Sequence, residues 1–185
     1  MSARRIVVLG RQGAGKGTQC ALLVESTGIV HVSTGDMLRA AVAAGTELGQ
    51  KADAVMKAGE LVSDEIMIGI VAERLAEADI MEHGVLLDGF PRTPSQADAL
   101  EEILHGQGVE LDAAINIDVP IEEVTARMMA RGREDDTAEG IARRLELYEQ
   151  QTAPLLQWFA DHNKLVVVDG LGTEDEIFAR IEAIL

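Results

Sequence analysis

Gly10, Gly13, Gly15 and Lys16 fall in the order Gly-x-x-x-x-Gly-Lys inside the stretch IVVLGRQGAGKGTQC, residues 6–20. The chemistry such a stretch can do is to hold phosphate. An apolar run leads into the glycines and a helical pattern (Gln19–Ser26) follows them. Glycines let backbone N–H groups turn inward around an anion, and a helix N-terminus adds partial positive charge. Lys16 then reaches the outer phosphates as a mobile point charge. The rival reading is a glycine-rich turn with a surface lysine. Gly17 is the odd residue, because the usual phosphate loop places a Ser or Thr hydroxyl there for Mg²⁺.

The remaining cations matter because they are scarce. The 185 residues carry 32 acidic and 16 basic side chains, a formal net charge of −16. Such a chain is a poor partner for nucleic-acid backbones or anionic lipid surfaces. It can still bind a small anion where its few cations converge. Arg131 and Arg133 stand one residue apart in MARGREDDT (129–137), a charged stretch that reads as an exposed loop between helices, and Arg144 lies on the helical pattern beyond. Most of the acidic residues read as a solvated surface, and Asp135 and Asp136 as helping the loop fold over or keeping it soluble.

The elements that must position these residues alternate. Strands are predicted at Arg5–Leu9, Val30–Val32, Val85–Asp88, Ala113–Asp118 and Leu165–Asp169, each apolar on nearly every residue, as in strands buried on both faces. Amphipathic patterns fill the gaps, so the expected fold is α/β, a five-stranded parallel sheet with helices on both sides. Thr93-Pro94-Ser95-Gln96 and Thr173-Glu174-Asp175-Glu176 read as helix-starting capping boxes. Pro154 should kink or divide the pattern from about Thr137 to Asp161. With 47% hydrophobic residues and no repeat or linker, the chain reads as one unit. The N-terminal arginines and apolar run are taken as the first strand, not a signal peptide. No apolar run nears the roughly 18 residues of a membrane span. A single cysteine, Cys20, excludes an internal disulfide and a cysteine-based zinc cage, and a reduced, cytoplasmic setting fits. Cys20 is assigned to core packing. His31, His83, His105 and His162 show no metal-like spacing, and Trp158 and Tyr148 read as helix packing.

GKGTQ, then STGDMLR at 33–39, LLDGFPR at 86–92, ARGR at 130–133 and ARRLELYEQQTAPL at 142–155 follow in that order. Together these motifs resemble the adenylate kinases, in their short-lid bacterial form, from about Arg5 to the C-terminus. The resemblance implies a P-loop NTPase fold, a single domain with an AMP-binding helical segment at about 33–62 and a lid at about 130–136, and the reaction ATP + AMP ⇌ 2 ADP. It implies ATP contacts from Gly13, Ala14, Gly15, Lys16, Gly17, Thr18, Arg131 and Gly172. AMP contacts are implied for Thr34, Arg39, Glu60, Leu61, Val62, Gly89, Phe90, Pro91, Arg92, Gln96, Arg133 and Arg144. Lys16, Arg92, Arg131, Arg133 and Arg144 are the implied catalytic set. Arg127 and Arg143 read equally well as helix surface.

In this family the hydroxyl moves one place on, to Thr18. Mg²⁺ is then expected on the nucleotides' phosphates and water, with Asp88 orienting those waters; Asp88 also reads as a turn or cap residue. Gln12 stands where the family has proline, which implies a small change in loop stiffness. Thr34 favours AMP, since relatives acting on pyrimidine monophosphates carry alanine there, although a UMP or CMP kinase stays the nearest rival. A non-catalytic nucleotide sensor is the other, and it should show degenerate arginines. Gln96 has two rival readings, adenine recognition and capping of its helix, which it cannot easily combine, and adenine recognition is the favoured one. No structural zinc is expected without a cysteine-bearing lid insertion, and a monomer is the family expectation.

Overall fold

The computed structural model describes residues 3–43, 45, 50, 62–132 and 136–185, the side chains at 39–41 and 151 excepted. The five strands among the described residues are β1 (Arg4–Leu9), β2 (Val30–Ser33), β3 (Gly84–Asp88), β4 (Ala113–Asp118) and β5 (Leu165–Asp169). All pairings are parallel and the spatial order is β2-β3-β1-β4-β5. The strands therefore lie within one residue of where the apolar runs predicted them.

Alternation along the strands explains why both faces must be covered. Val7 and Leu9 of β1 join one apolar core with Val85 and Leu87 of β3, while Ile6 and Val8 join the other with Leu86, Ile115 and Ile117. Side chains alternate across a strand with period two, so a run with no polar member feeds both faces. The first core is closed by α3 (Asp64–Leu75), α5 (Pro94–Gly106) and α8 (Ala153–Asp161) through Val71, Leu75, Leu100, Leu104, Leu155 and Phe159. The second is closed by α1 (Lys16–Thr27), α6 (Ile121–Arg131), α7 (Ala138–Leu147) and α9 (Glu174–Glu182). Full burial of one such Leu or Phe stabilises by about 2 kcal/mol. The remaining described helices are α2 (Thr34–Ala43) and α4 (Ala78–His83).

Local chemistry sets the helix boundaries. Thr173 Oγ1 accepts from Glu176 N–H, and Glu176 Oε2 accepts from Thr173 N–H, a complete capping box. The box expected at Thr93 forms by half. Thr93 Oγ1 accepts from Gln96 N–H, but Gln96 Oε1 accepts from Arg92 N–H, one residue earlier than the reciprocal bond requires. The pattern from Thr137 to Asp161 does divide, into α7, a π-helical turn at Tyr148–Thr152 and α8, with Pro154 in the first turn of α8. No described helix is long and apolar enough to cross a membrane.

Strand order fixes where a site can lie. From β1 the neighbours run to β3 on one side and β4 on the other. Connections leave the carboxyl end of the sheet in opposite directions there, and the crevice so formed is where open α/β sheets take ligands.

Candidate active site

The glycine loop sits in that crevice, between β1 and α1. Gly15 is left-handed (φ 92) and caps α1, whose first residue is Lys16. Gly13 has a φ of +87, and a Cβ on it would lie 2.9 Å from the Val124 carbonyl oxygen, so the loop fits against α6 only with glycine there. Lys16 folds back over the loop: its Nζ donates to the carbonyls of Gly10 (2.9 Å) and Arg11 (3.2 Å). Burial lowers the Lys16 pKa from the ordinary lysine value. Asp88 raises it, and the charges of Arg92 and Arg131 lower it further. These four residues come from α1, the end of β3, the loop after β3 and the end of α6, and they meet within electrostatic reach.

Asp88 is paired in register with Val8 of β1 and Ser33 of β2, which aims it into the crevice. Burial pushes its carboxyl upward, but the neighbouring His31, Lys16 and Arg92 outweigh that and the net shift is downward. Asp88 stays ionised. The His31 contact is an ion pair at 3.8 Å, too long for a hydrogen bond, and it acts only when His31 is protonated. An ionised oxygen donor suits Mg²⁺, which keeps most of its waters and takes few protein ligands. Gly17 offers no side chain, and Thr18 is exposed.

The loop after β3 is built tightly around its neighbours. Thr34 is buried, and its Oγ1 donates to the Asp88 carbonyl at 3.5 Å. Gly89 (φ +84) is required beside it, because a Cβ would sit 2.8 Å from Thr34 Oγ1. Phe90 and Pro91 are buried, and Val62 lies in the same core as Phe90. Arg92 is solvent-exposed by area, with Nε donating to the Gly89 carbonyl at 2.9 Å. Gln96 is buried and holds two partners: it accepts from Arg92 N–H at 2.8 Å and donates to Asp64 Oδ1 at 2.7 Å. Asp64, at the start of α3, also accepts from Ser95 Oγ at 2.9 Å. Nothing local marks Asp64, which lies 32 residues from Gln96.

At the other side, Asp136 ties two of the expected phosphate-binding arginines together. Arg131 meets it two-pronged, Nε to Oδ2 at 2.9 Å and Nη2 to Oδ1 at 2.8 Å, and Arg144 Nη2 reaches the same Oδ1 at 2.8 Å. The Asp136 side chain is completely buried. It is therefore no mere solubilising charge. Arg127 bonds Glu123 and the Gly170 carbonyl, which accounts for it structurally. Gly172 stands two residues before Glu174, whose carbonyl accepts from the buried Gln19 Nε2 at 3.0 Å, so that turn docks on α1. Glu60, Leu61, Arg133, Asp135 and the Arg39 side chain lie outside the described residues.

Arg11 turns away from the loop. It donates to Glu149 Oε1 at 3.0 and 2.7 Å and to the Val119 carbonyl at 3.3 Å, and lies 5.5 Å from the centre of the Tyr148 ring. The loop is thus strapped to the π-helical turn. Burial pushes the Tyr148 phenol from 10.0 up to about 12, with Arg11 pulling the other way and Glu149 and Asp118 adding to the rise. A folded pKa above the unfolded one gives stability that is full below pH 10 and lost as pH rises toward 12. Tyr148→Phe is expected to flatten that loss by ~2 kcal/mol. Urea unfolding at pH 9 and pH 12 checks it, and equal slopes for both proteins would refute it.

The sequence model of the adenylate kinases matches residues 8–164. The chain belongs to the adenylate kinase family. It is 48% identical over 183 residues to the adenylate kinase of Stenotrophomonas maltophilia strain R551-3, covering 97% of each chain. It is 47% identical over 181 residues to that of Xanthomonas campestris pv. campestris strain B100, 96% of each. With the adenylate kinase of Parvibaculum lavamentivorans the identity is 45% over 188 residues, 98% of this chain and 91% of that one. The family interconverts ATP + AMP and 2 ADP and generally takes ATP with Mg²⁺.

Proposed function

We propose that this chain carries out the family's reaction, ATP + AMP ⇌ 2 ADP, with ATP on the loop Gly10–Thr18 and AMP in a pocket formed by the segment at about 33–62, Gly89–Arg92 and Gln96. The observation that carries this reading is the meeting of Lys16, Asp88, Arg92 and Arg131 in the switch-point crevice of a chain with net charge −16. An oxygen of the AMP phosphate attacks the terminal phosphorus of ATP in line. One P–O bond forms, the bond to the β-phosphate bridging oxygen breaks, and the leaving group is ADP. The nucleophile is already anionic, so no covalent enzyme intermediate and no dedicated base is required. Positioning and charge neutralisation carry the catalysis.

Each residue then has a task. The loop N–H groups and Lys16 hold the outer phosphates of ATP, with Arg131 and the turn at Gly172 beside that nucleotide. Arg39 and Arg92 hold the AMP phosphate. Arg131, Arg133 and Arg144 close over the phosphates in transfer, and the lid at about 130–136 excludes water that would otherwise hydrolyse ATP. Mg²⁺ carried in with ATP would supply neutralisation of phosphate charge. Asp88 is the residue to orient its waters. The partners are ATP, AMP and ADP alone, the protein works as a monomer, and it resides in the cytoplasm. ADP formation from ATP with AMP, UMP, CMP or GMP as acceptor tests this reading, and preference for a pyrimidine monophosphate would overturn it.

Gln96 can both support its helix and read adenine. An amide has two donors and two acceptor lone pairs, and the structure commits one of each. The remaining pair matches the adenine edge. Gln96→Ala is expected to lower preference for AMP over CMP by about tenfold, and stability by about 1–2 kcal/mol because Asp64 and Arg92 N–H lose a partner. Thr93→Ala removes only a cap and should lower stability by about 1 kcal/mol with preference intact. If Gln96→Ala behaves like Thr93→Ala, the amide has no part in base recognition.

A further inference from the structure

Cys20, His31 and Asp88 are far apart in sequence, and spacing gave no hint that they meet. Cys20 lies one turn into α1, His31 in β2 and Asp88 at the end of β3. One ligand atom of each (the thiol sulfur, a ring nitrogen, a carboxylate oxygen) lies within 4.8 Å of the other two. A tetrahedral Zn²⁺ with bonds of about 2.0–2.3 Å needs ligand atoms roughly 3.5 Å apart, so each must move by only about 1 Å.

Two further observations point to a ligand. His31 Nε2 is shielded from solvent and makes no hydrogen bond, a condition that native buried groups rarely tolerate. Cys20 is wholly buried as a free thiol. The group is not sealed from solvent, since the His31 and Asp88 side chains are 28% and 20% exposed.

We infer that Cys20, His31 and Asp88 form an inhibitory site for a soft divalent cation, Zn²⁺ or a cation of like chemistry, distinct from the Mg²⁺ carried by nucleotide. The donor set decides the class of ion. Sulfur and imidazole select zinc-like cations, whereas Mg²⁺ takes oxygen only. Binding displaces the thiol proton to water, so Zn²⁺ with one thiolate and one carboxylate is locally neutral. Its fourth position takes water.

The inhibitory consequence follows from what the ion removes. Asp88 is the carboxylate nearest in effect to Lys16 and the one proposed to orient the magnesium waters. Zinc would withdraw it from both. The binding itself stands on the three side chains, and only the inhibition rests on the phosphotransfer reading.

The test is titration of nucleotide-free protein with Co²⁺. One ion per chain should bind, with the thiolate charge-transfer band and the intense visible bands of a four-coordinate site, and Zn²⁺ should bleach both. Cys20→Ala and Cys20→Ser should abolish the charge-transfer band, and His31→Gln, which removes a direct ligand, should weaken binding by at least the roughly 10–100-fold that loss of even an outer-shell partner costs. In the phosphotransfer assay at buffered free Zn²⁺, wild type should be inhibited, and Cys20→Ala, with its basal rate retained, should need at least about tenfold more zinc. No charge-transfer band up to millimolar Co²⁺ would overturn the site, whatever the assay gives. A band with equal zinc inhibition in wild type and Cys20→Ala would overturn the inhibitory role. A chain without phosphotransfer activity that still showed the band would fail the functional reading and keep the site.

Discussion

Lys16→Met is expected to lower turnover by about 10³-fold while the melting temperature falls only a few degrees. Methionine keeps the length of the side chain and removes its charge. In the structure the ammonium is held by the Gly10 and Arg11 carbonyls, so it stands over the loop at the mouth of the crevice before any nucleotide arrives. A preplaced charge needs little reorganisation when negative charge spreads over the transferring phosphoryl group, and one such contact is worth about 3–4 kcal/mol to the transition state. The two lost hydrogen bonds to backbone carbonyls account for about 1 kcal/mol each in stability. Lys16→Arg should fail nearly as badly, because a planar fork cannot occupy the same pair of carbonyls. Steady-state rates with ATP and AMP, and a thermal melt, make the measurement. Turnover within tenfold of wild type would remove the phosphate-loop assignment.

The sheet was legible because β1, β3, β4 and β5 carry apolar residues on both faces, a pattern few other elements share, whereas β2 (VHVS) is apolar on one face only. The glycine loop was legible because its chemistry is local: strand, turn and helix are contiguous. That the helix divides near Pro154 follows equally from one residue. The π-helical turn that makes the division, and the strap from Arg11 to Glu149 across 138 residues, have no local signature. Strand order is also absent from periodicity, and it alone decides that β1 is central and that Asp88 stands beside the loop.

The polar partners were the least readable. Asp64 looks like any first-turn acid of a helix, yet it bonds both Gln96 and Ser95 of another helix. Asp136 sits in a run of charges that reads as solvated surface, yet its side chain is buried between two arginines. A carboxylate's burial depends on what the tertiary fold brings to it, and the local run carries no trace of Arg144. His31 and Cys20 looked inert by spacing because their meeting depends on β2 lying beside β3.

A compound of two adenosines joined through five phosphates is expected to bind with one molecule per chain and roughly 10²–10⁴-fold more tightly than ADP, because linking the halves makes the second binding event intramolecular. The expectation requires the loop and the pocket around Thr34, Gly89 and Arg92 to face each other across a gap the phosphates can span. Asp88, whose carbonyl accepts from Thr34 Oγ1, pairs in register with Val8, two residues before the glycine loop, which supports that distance. The lid arginines decide how much of the gain is realised. Arg131 and Arg144 are both bonded to Asp136, so a phosphate chain must share them with that carboxylate or displace it. Arg131→Ala removes the two-pronged half of this arrangement and should erase at least about tenfold of the gain, whereas affinity for AMP alone should change little, since Arg92 and Arg39 are its proposed phosphate partners. Lid closure of this kind often limits turnover, so the same variant should also be slower. Calorimetry with the linked compound, ADP and AMP gives the comparison. Two linked molecules per chain, or affinity no better than that of ADP, would mean that the two sites do not face each other, and a direct transfer between bound nucleotides would then be impossible.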